Sequence, residues 1–480
     1  MTHVPVVSFL VLWPIFGAVA ALLARSRGVA IAAGRGVAAV EMVVAALAVA
    51  LRPDSTWSYV DRAPWIPWMG IEWHVGLDGL SAPFVVLAPT LALAALVGVR
   101  RDDDRHGAGF AASVLVLLGA LVGVYTSLDL VLFFGFWELS IVPVLLLVGL
   151  WGDGAHRRAA AARAMVTLLL GGVPLLVGLL TLATAGGGFE TDLTTLLASP
   201  VPAAVQAMAW PLLLLGFAVK APIVPLHGWM PEVVAEGPAA VGVMVMGLKI
   251  GVWGLLRFVG TCPDAAVAWS AVLATAGAVG AVYGALLALR QTELRRLVAW
   301  LGTSHVGVAL IALSTGTIEG LTATVALLVS FAVVTAGLLV VGGMLHDRVG
   351  STDVSSLSAL ATRAPRLTTA LVLLAVGGLG LPGTIGFVGE HLALLSAFQD
   401  HPMGFMAVAV TTPLGAAAWL GWGTRALGGP AERGRSPIED LRPRETAVAY
   451  AFVLAMWAGG LAPELWTGTF EPATETLSSR

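Results

Sequence analysis

Long unbroken apolar runs, and not alternating ones, organise this chain. They lie near Val4 to Leu23, Ile31 to Leu51, Leu80 to Val99, Phe110 to Tyr125, Leu128 to Leu150, Ala164 to Ala185 and Val205 to Met230. Seven more lie near Ala239 to Phe258, Ala265 to Leu289, Leu297 to Leu313, Leu321 to Leu345, Thr368 to Phe398, Met403 to Leu427 and Ala447 to Leu461. Runs of this kind approach the roughly 20 residues that carry a helix across about 30 Å of hydrocarbon. The pattern predicts an all-α polytopic membrane protein with about 14 transmembrane helices. A membrane β-barrel would show short period-two alternation instead. The first run has no basic leader and no small-residue cleavage site after it, so it reads as a retained span.

Two runs carry their own interruptions. In the seventh, KAPIVPLHGWMP from Lys220 places Pro222, Pro225 and Pro231 in one apolar stretch, and each removes a backbone donor. In the twelfth, GGLGLPGTIGFVGE from Gly377 to Glu390 places Gly380, Pro382, Gly383 and Gly386 together. Both helices are expected to break, as helices lining an ion path in transporters do. Lys220 and Glu390 are 170 residues apart, and Glu138 and His305, in the fifth and tenth runs, are 167 apart. The two offsets predict a repeat of five helices, and an odd number of crossings makes its two copies inverted. The organisation expected is therefore an N-terminal three-helix segment (1–107), a first five-helix repeat (108–260), a second (261–430), and a C-terminal loop, last helix and short tail (431–480). The segment Gly378 to Gly383 also matches a dinucleotide-binding glycine pattern, but no βαβ unit surrounds it.

Basic residues test the helix count. Arg25, Arg27 and Arg35 follow the first run, Arg100, Arg101 and Arg105 the third, and Arg157, Arg158 and Arg163 the fifth. Arg290, Arg295 and Arg296 follow the ninth, Arg348, Arg363 and Arg366 the eleventh, and Arg425, Arg433, Arg435, Arg442 and Arg444 the thirteenth. Even-numbered loops hold only Arg52, Arg62 and Arg257, with Arg480 at the end. Positive charge collects on the cytoplasmic side, so both termini are expected outside.

Composition sharpens the picture: 58% of the 480 residues are apolar and 11% charged, against roughly a quarter charged in soluble domains. Cys262 is the single cysteine, so an internal disulfide, an iron–sulfur cluster or a structural zinc site has no ligand set here, and no cofactor or metal is expected. The net charge of −3 excludes nothing.

Ionisable residues inside apolar runs are costly, roughly 2.5–3.5 kcal/mol at the bilayer centre on insertion scales, and usually face protein or water. Glu138, Lys220, Lys249, His305 and Glu390 are the five read in this way, and Lys220 and Lys249 are the only lysines. A static buried ion pair, or a stem reaching an interface, is the structural alternative, most so for Lys220 at a helix end. His227 is a further proton-transfer candidate, or else a helix-break cap. Asp78 and Asp129 read as solvated caps near span ends.

WELS at Trp137 to Ser140, KAPIVPLHGWMPE from Lys220, GLKIGVWGLLRF from Gly247 and ELRRLVAWLGTSHVG from Glu293 follow in that order, with WIPWMGIEWHVGLDGLS from Trp65 and GLPGTIGFVGE from Gly380. Over nearly its whole length the chain resembles the M-type antiporter-like membrane subunits of proton-translocating NADH-quinone oxidoreductase, respiratory complex I. The resemblance implies fourteen helices in two inverted repeats, with Glu138, Lys220, Lys249, His305 and Glu390 on the family's proton-transfer positions. It implies a subunit of a translocating enzyme in the cell inner (plasma) membrane, partnered by other membrane subunits and the lipid bilayer, with no nucleic acid. The transported ion is a proton, with sodium as the alternative. Glu390 favours the M-type over relatives that carry lysine there. Two positions depart from the pattern: Phe331 replaces a second histidine on the eleventh helix, and Val234 a loop histidine.

The expected path runs from the cytoplasm to Lys220, Lys249, water near His305, Glu390 and the outside, with a Glu138–Lys220 pair about 4 Å apart opening and closing. Competing readings are a subunit of an Mrp-type cation/proton antiporter, a membrane arm of a ferredoxin- or hydrogenase-coupled complex, and a scaffold. A scaffold has no use for the buried charges.

Overall fold

The computed structural model describes residues 5–53, 55–98, 106–199, 201–428 and 438–479. Arg100, Arg101, Arg105, Arg433, Arg435 and Arg480, and the boundary expected at 430, lie outside the described residues. Every apolar run falls on a helix or a pair of helices. The first four are α1 (Val6–Leu22), α2 (Arg27–Ala50), α3 (Ala82–Gly98) and α4 (Ala108–Thr126). The fifth run is split into α5 (Leu130–Leu139) and α6 (Ile141–Trp151), and the sixth is α7 (Arg157–Ala183). After the short α8 (Leu193–Ala198), the seventh run is α9 (Ala203–Lys220) and α10 (Trp229–Glu236), and the eighth is α11 (Ala239–Gly247) and α12 (Ile250–Val259). Then come α13 (Pro263–Ala268), α14 (Ser270–Ala288), α15 (Leu294–Ser314), α16 (Ile318–Val349) and α17 (Leu360–Arg363). The twelfth run is α18 (Pro365–Gly377) and α19 (Ile385–Asp400), followed by α20 (Pro402–Leu427), α21 (Pro443–Leu461), α22 (Glu464–Thr467) and α23 (Glu471–Ser478). Among the described residues ten helices, counting each split pair of the fifth and eighth runs as one, are long and apolar enough to cross a membrane. Shorter apolar helices add to them.

The interruptions expected in the seventh and twelfth runs are present, at residues 221–228 and 378–384. Two more were not expected, at Ser140 and at Leu248–Lys249. The 32-residue α16 is unbroken and buried along its apolar length. Exposed apolar side chains ring the molecule on α2, α7, α14 and α20, the arrangement of a bundle whose solvent is lipid.

A matched pair of brackets recurs along the chain. At the start of the fifth helix, the Leu130 N–H donates to Thr191 O and the Leu193 N–H to Leu128 O, both at 2.8 Å. At the start of the tenth, the Leu294 N–H donates to Thr352 O (3.2 Å) and the Val354 N–H to Thr292 O (3.1 Å). Asp129 and Glu293 cap α5 and α15, and each accepts a hydrogen bond from the threonine across its bracket, Thr191 or Thr352. Asp192 and Asp353 cap the segments that follow, through Thr194 and Ser355. Five of the apolar runs, the fifth to the ninth, lie between the two brackets.

The loop before α3 is a β-hairpin, β1 (Ser58–Ile66) and β2 (Ile71–Leu77), which was not expected. It is pinned to the helix ends: Asp61 accepts from Ser8 N–H (2.8 Å), Trp73 Nε1 donates to Ser8 Oγ (2.8 Å), and Arg62 pairs with Asp192 (3.0 Å). Burial opposes the Asp192 carboxylate, but hydrogen bonds from His74 and Thr194 outweigh it and hold its pKa well below the usual carboxylate range.

Asp78 and Asp129 are not solvated. Asp78 is buried, bonded to Ser81, and holds Arg257 through two hydrogen bonds of 2.6 and 2.9 Å. Asp129 is buried under Thr191 and the hairpin. Arg295, counted above with the loop arginines, lies buried in α15 on Asp153 and Gly237 O (3.0 Å each).

Candidate functional site

Helix ends position the lysines. Lys220 is the last residue of α9, and its ammonium turns inward and donates to Trp137 O and to Ser140 Oγ (2.7 Å). The last carbonyls of a helix lack their own donors and carry the negative end of its dipole. The break after Leu139 therefore makes a seat for a cation, and the Trp137 ring, 4.2 Å away, adds a second face. Glu138 points elsewhere: no ion pair within 4.0 Å joins it to Lys220, and its buried Oε1 has no hydrogen-bond partner. The expected closed pair is thus open here, with the ammonium on the carbonyl next to the carboxylate. The Glu138 carboxylate occupies a notch left by Gly172, where a Cβ would stand 2.4 Å from Oε1.

Lys249 repeats the device. It is not in mid-helix but in the break between α11 and α12, and it donates to Met246 O (3.3 Å) in the last turn of α11. It is 6% exposed and its ammonium lies 4.7 Å from the centre of the Phe331 ring. Across that ring stands His305, stacked at 4.1 Å and 22°. His305 Nε2 is 3.8 Å from Glu390 Oε1, and Glu390 Oε2 accepts from Thr412 Oγ1 (3.2 Å). Glu390 also sits in a glycine notch: Gly380 has φ +61°, and a Cβ there would be 2.3 Å from Oε2.

The line is thus Lys249, Phe331, His305, Glu390, with an apolar ring where the family pattern has imidazole. One cavity is lined by Lys220, Ser140, Trp229, Leu248 and Ile250. A second is lined by His305, Ser330, Phe331, Thr335, Gly378 and Glu390. His227 is off this line, boxed by Tyr283 (5.3 Å) and Trp300 (5.4 Å) from α14 and α15. It therefore ties the first half to the second, and its buried Nδ1 has no partner. Val234 packs in the core of α10.

Sequence reasoning missed the seats themselves. Thr412 and the Met246 carbonyl have no motif that marks them, and WELS at Trp137 to Ser140 marks the glutamate and not the carbonyl and hydroxyl beside it, although Pro143 suits the first turn of a helix that restarts after Ser140.

Residues 127–415 match the family described as NADH:quinone oxidoreductase/Mrp antiporter, TM. The chain belongs to this family. A cyanobacterial relative, NAD(P)H-quinone oxidoreductase chain 4 1 of Picosynechococcus, is 34% identical over 87% of this chain and 80% of its own. NADH-quinone oxidoreductase subunit M of Escherichia coli is 33% identical over 72% of this chain and 70% of its own. A chain of respiratory complex I from Thermus thermophilus superposes with a TM-score of 0.92 at 29% identity, covering 98% of this chain and 99% of that one. The likeness to a chain of the Mrp complex of Dietzia, TM-score 0.85 at 23% identity over 100% and 99%, is one of fold. Membership of the NADH:quinone oxidoreductase/Mrp antiporter family makes the chain a multi-pass membrane protein of the antiporter-like type.

Proposed function

We propose that this chain is the antiporter-like, proton-translocating membrane subunit of an NADH-quinone oxidoreductase, acting in the plasma membrane beside other membrane subunits. The observation that carries the reading is the row of basic and acidic groups seated at helix breaks and glycine notches, running from Lys220 past Lys249 to His305 and Glu390. Relatives named as quinone oxidoreductase chains, at up to 34% identity, favour it over the Mrp-type antiporter. The fourteen crossings, both termini outside, and the four segments 1–107, 108–260, 261–430 and 431–480 belong to the same proposal.

A proton enters from the cytoplasm at Lys220, passes to Lys249, crosses beside the Phe331 ring through water to His305, and leaves by Glu390. The basic nitrogens of Lys220, Lys249 and His305 carry protons and are poor ligands for sodium, which favours the proton as the ion, with sodium as the alternative. The switch is the Lys220 ammonium. An ammonium about 4 Å from the Glu138 carboxylate interacts with it by roughly 4 kcal/mol at an effective dielectric near 20, and the Trp137 carbonyl and Ser140 hydroxyl compete with that pairing. A neighbouring charge change alters that balance and sends the proton on to Lys249. The driving electron transfer takes place in other subunits, and this chain supplies the ion path.

In the reconstituted complex, Lys249→Ala is expected to abolish proton pumping while the complex assembles. A normal proton-to-electron ratio in that variant would refute the reading. Isolation of the native complex with NADH oxidation activity separates it from the antiporter alternative.

A further inference from the structure

Glu41 lies outside the row described above. It sits in α2, on a stripe of small buried residues that includes Gly34, Ala38, Ala45 and Ala48. It is 0% exposed, and neither carboxylate oxygen has a hydrogen-bond partner. The packed neighbours of α2 are α1, α3 and α4. None of these helices contains an Asp, Glu, Lys, Arg or His. The titratable group among them is Tyr125, stacked on Phe84 at 5.0 Å. The charges on α2 itself, Arg27 and Arg35, are toward its start, and Arg35 is bonded to Leu96 O.

Register shows what stands level with the carboxyl. A Cβ on Gly34 would touch Leu96 of α3 (3.3 Å) and Ala111 of α4 (3.5 Å). Two turns further along α2, Glu41 is level with Pro89 of the antiparallel α3 and with Leu118 of the parallel α4. The next residue, Gly119, packs on Val11 O and Pro14 of α1. Pro14 and Pro89 each leave a carbonyl without its intrahelical donor, those of Leu10 and Val85. The layer therefore holds spare acceptors and no cation. An isolated carboxylate there would go unpaired in apolar surroundings, which is unfavourable, whereas a neutral acid brings a donor to carbonyls whose own helices supply none.

We propose that Glu41 is a second proton-binding site of this chain, separate from the Lys–His–Glu row, in which the carboxyl holds a proton as the neutral acid until α1–α4 part. The proposal does not rest on the reading of that row, and pumping by Lys249→Ala tests the row independently.

The test is infrared difference spectroscopy of the assembled complex at neutral pH, wild type against Glu41→Gln. The expected result is loss of one protonated-carboxyl C=O band that shifts only slowly in D2O. Glu41→Asp keeps an acid and should move that band instead of removing it, so the readout survives if the amide variant fails to assemble. Loss of a carboxylate-anion band in Glu41→Gln, or a band unmoved in Glu41→Asp, would overturn the proposal.

Discussion

The stretches around α4–α12 and α14–α20 share a plan and differ in chemistry. Each has a bracket, through Thr191 or Thr352, at the start of its second long helix, each has its fourth helix interrupted, and each cradles a glutamate in a glycine notch. The first breaks the fifth, seventh and eighth helices and seats two lysines on carbonyls at the broken ends, those of Trp137 and Met246. The second keeps α15, α16 and α20 whole and places His305 beside Glu390 instead. Helix continuity therefore selects the residue type. A broken end offers an ammonium an acceptor that costs no ladder hydrogen bond. An unbroken helix offers none, and a group able to rest neutral takes the place.

The largest effects should come from emptying one half at a time. Lys220→Met removes the cation from its carbonyl seat, and Glu390→Gln removes the acid facing His305. Each is expected to lower proton-coupled quinone reduction at least about tenfold, the factor that 1.36 kcal/mol of barrier represents. Pumping by Lys220→Met at the wild-type rate, beside a dead Glu390→Gln, would show that only the second half conducts.

The notches come next. In Gly380→Ala the new methyl meets the Glu390 carboxylate and the backbone is held at φ +61°, a strain of about 1–3 kcal/mol. Gly172→Ala meets only the movable end of Glu138 in a helical backbone. Thermal unfolding in detergent should show the larger loss for Gly380→Ala. Equal losses would mean that strain is not the difference.

Phe331 tests the link between the halves. Its ring stacks on His305 and faces Lys249, and Phe331→Leu gives up a contact of about 0.5–1.5 kcal/mol. Turnover is expected to fall by about two- to tenfold, and Phe331→His to recover it. A larger fall, without recovery by histidine, would make the ring the element that orients His305.

Much of this could be read from the sequence, because membrane crossing is a matter of apolar length and helix breaks of Pro and Gly. The interruptions beside Pro222 and Pro382 announced themselves. Those at Ser140 and Lys249 did not, since one is marked only by a proline three residues on and the other by flanking glycines in a chain rich in them. The hairpin was hidden because Pro64 and Pro67 disguise an edge strand, whose turn depends on Gly70 at φ +72°. Glu41 was passed over inside a run judged on hydropathy alone. Asp78 and Asp129 were misjudged because nearness to a span end says nothing of what packs above, here Arg257 and the hairpin. The Lys220 seat depends on two backbone carbonyl layers meeting in space, which no spacing rule reports.

The smallest effect sharpens the likeness of the brackets. Burial works against the carboxylates of Asp192 and Asp353, yet hydrogen bonds to Asp192 from His74 and Thr194, and to Asp353 from Ser355 and Thr292, leave both pKa values below the ordinary one. A folded value below the unfolded one, about 3.9, gives stability that is present above that pH and lost as pH falls through the folded value. Asp353 is partly exposed, and solvent screens its share. Asp192 is also paired with Arg62 and His74, so it should carry the larger part. Asp192→Asn is expected to lower the melting temperature by about 2 °C at neutral pH and to flatten its fall between about pH 5 and 3, with Asp353→Asn doing the same more weakly. Matching slopes for the two variants would show that the hairpin adds nothing to the first bracket. A higher melting temperature for either at neutral pH would contradict the sign.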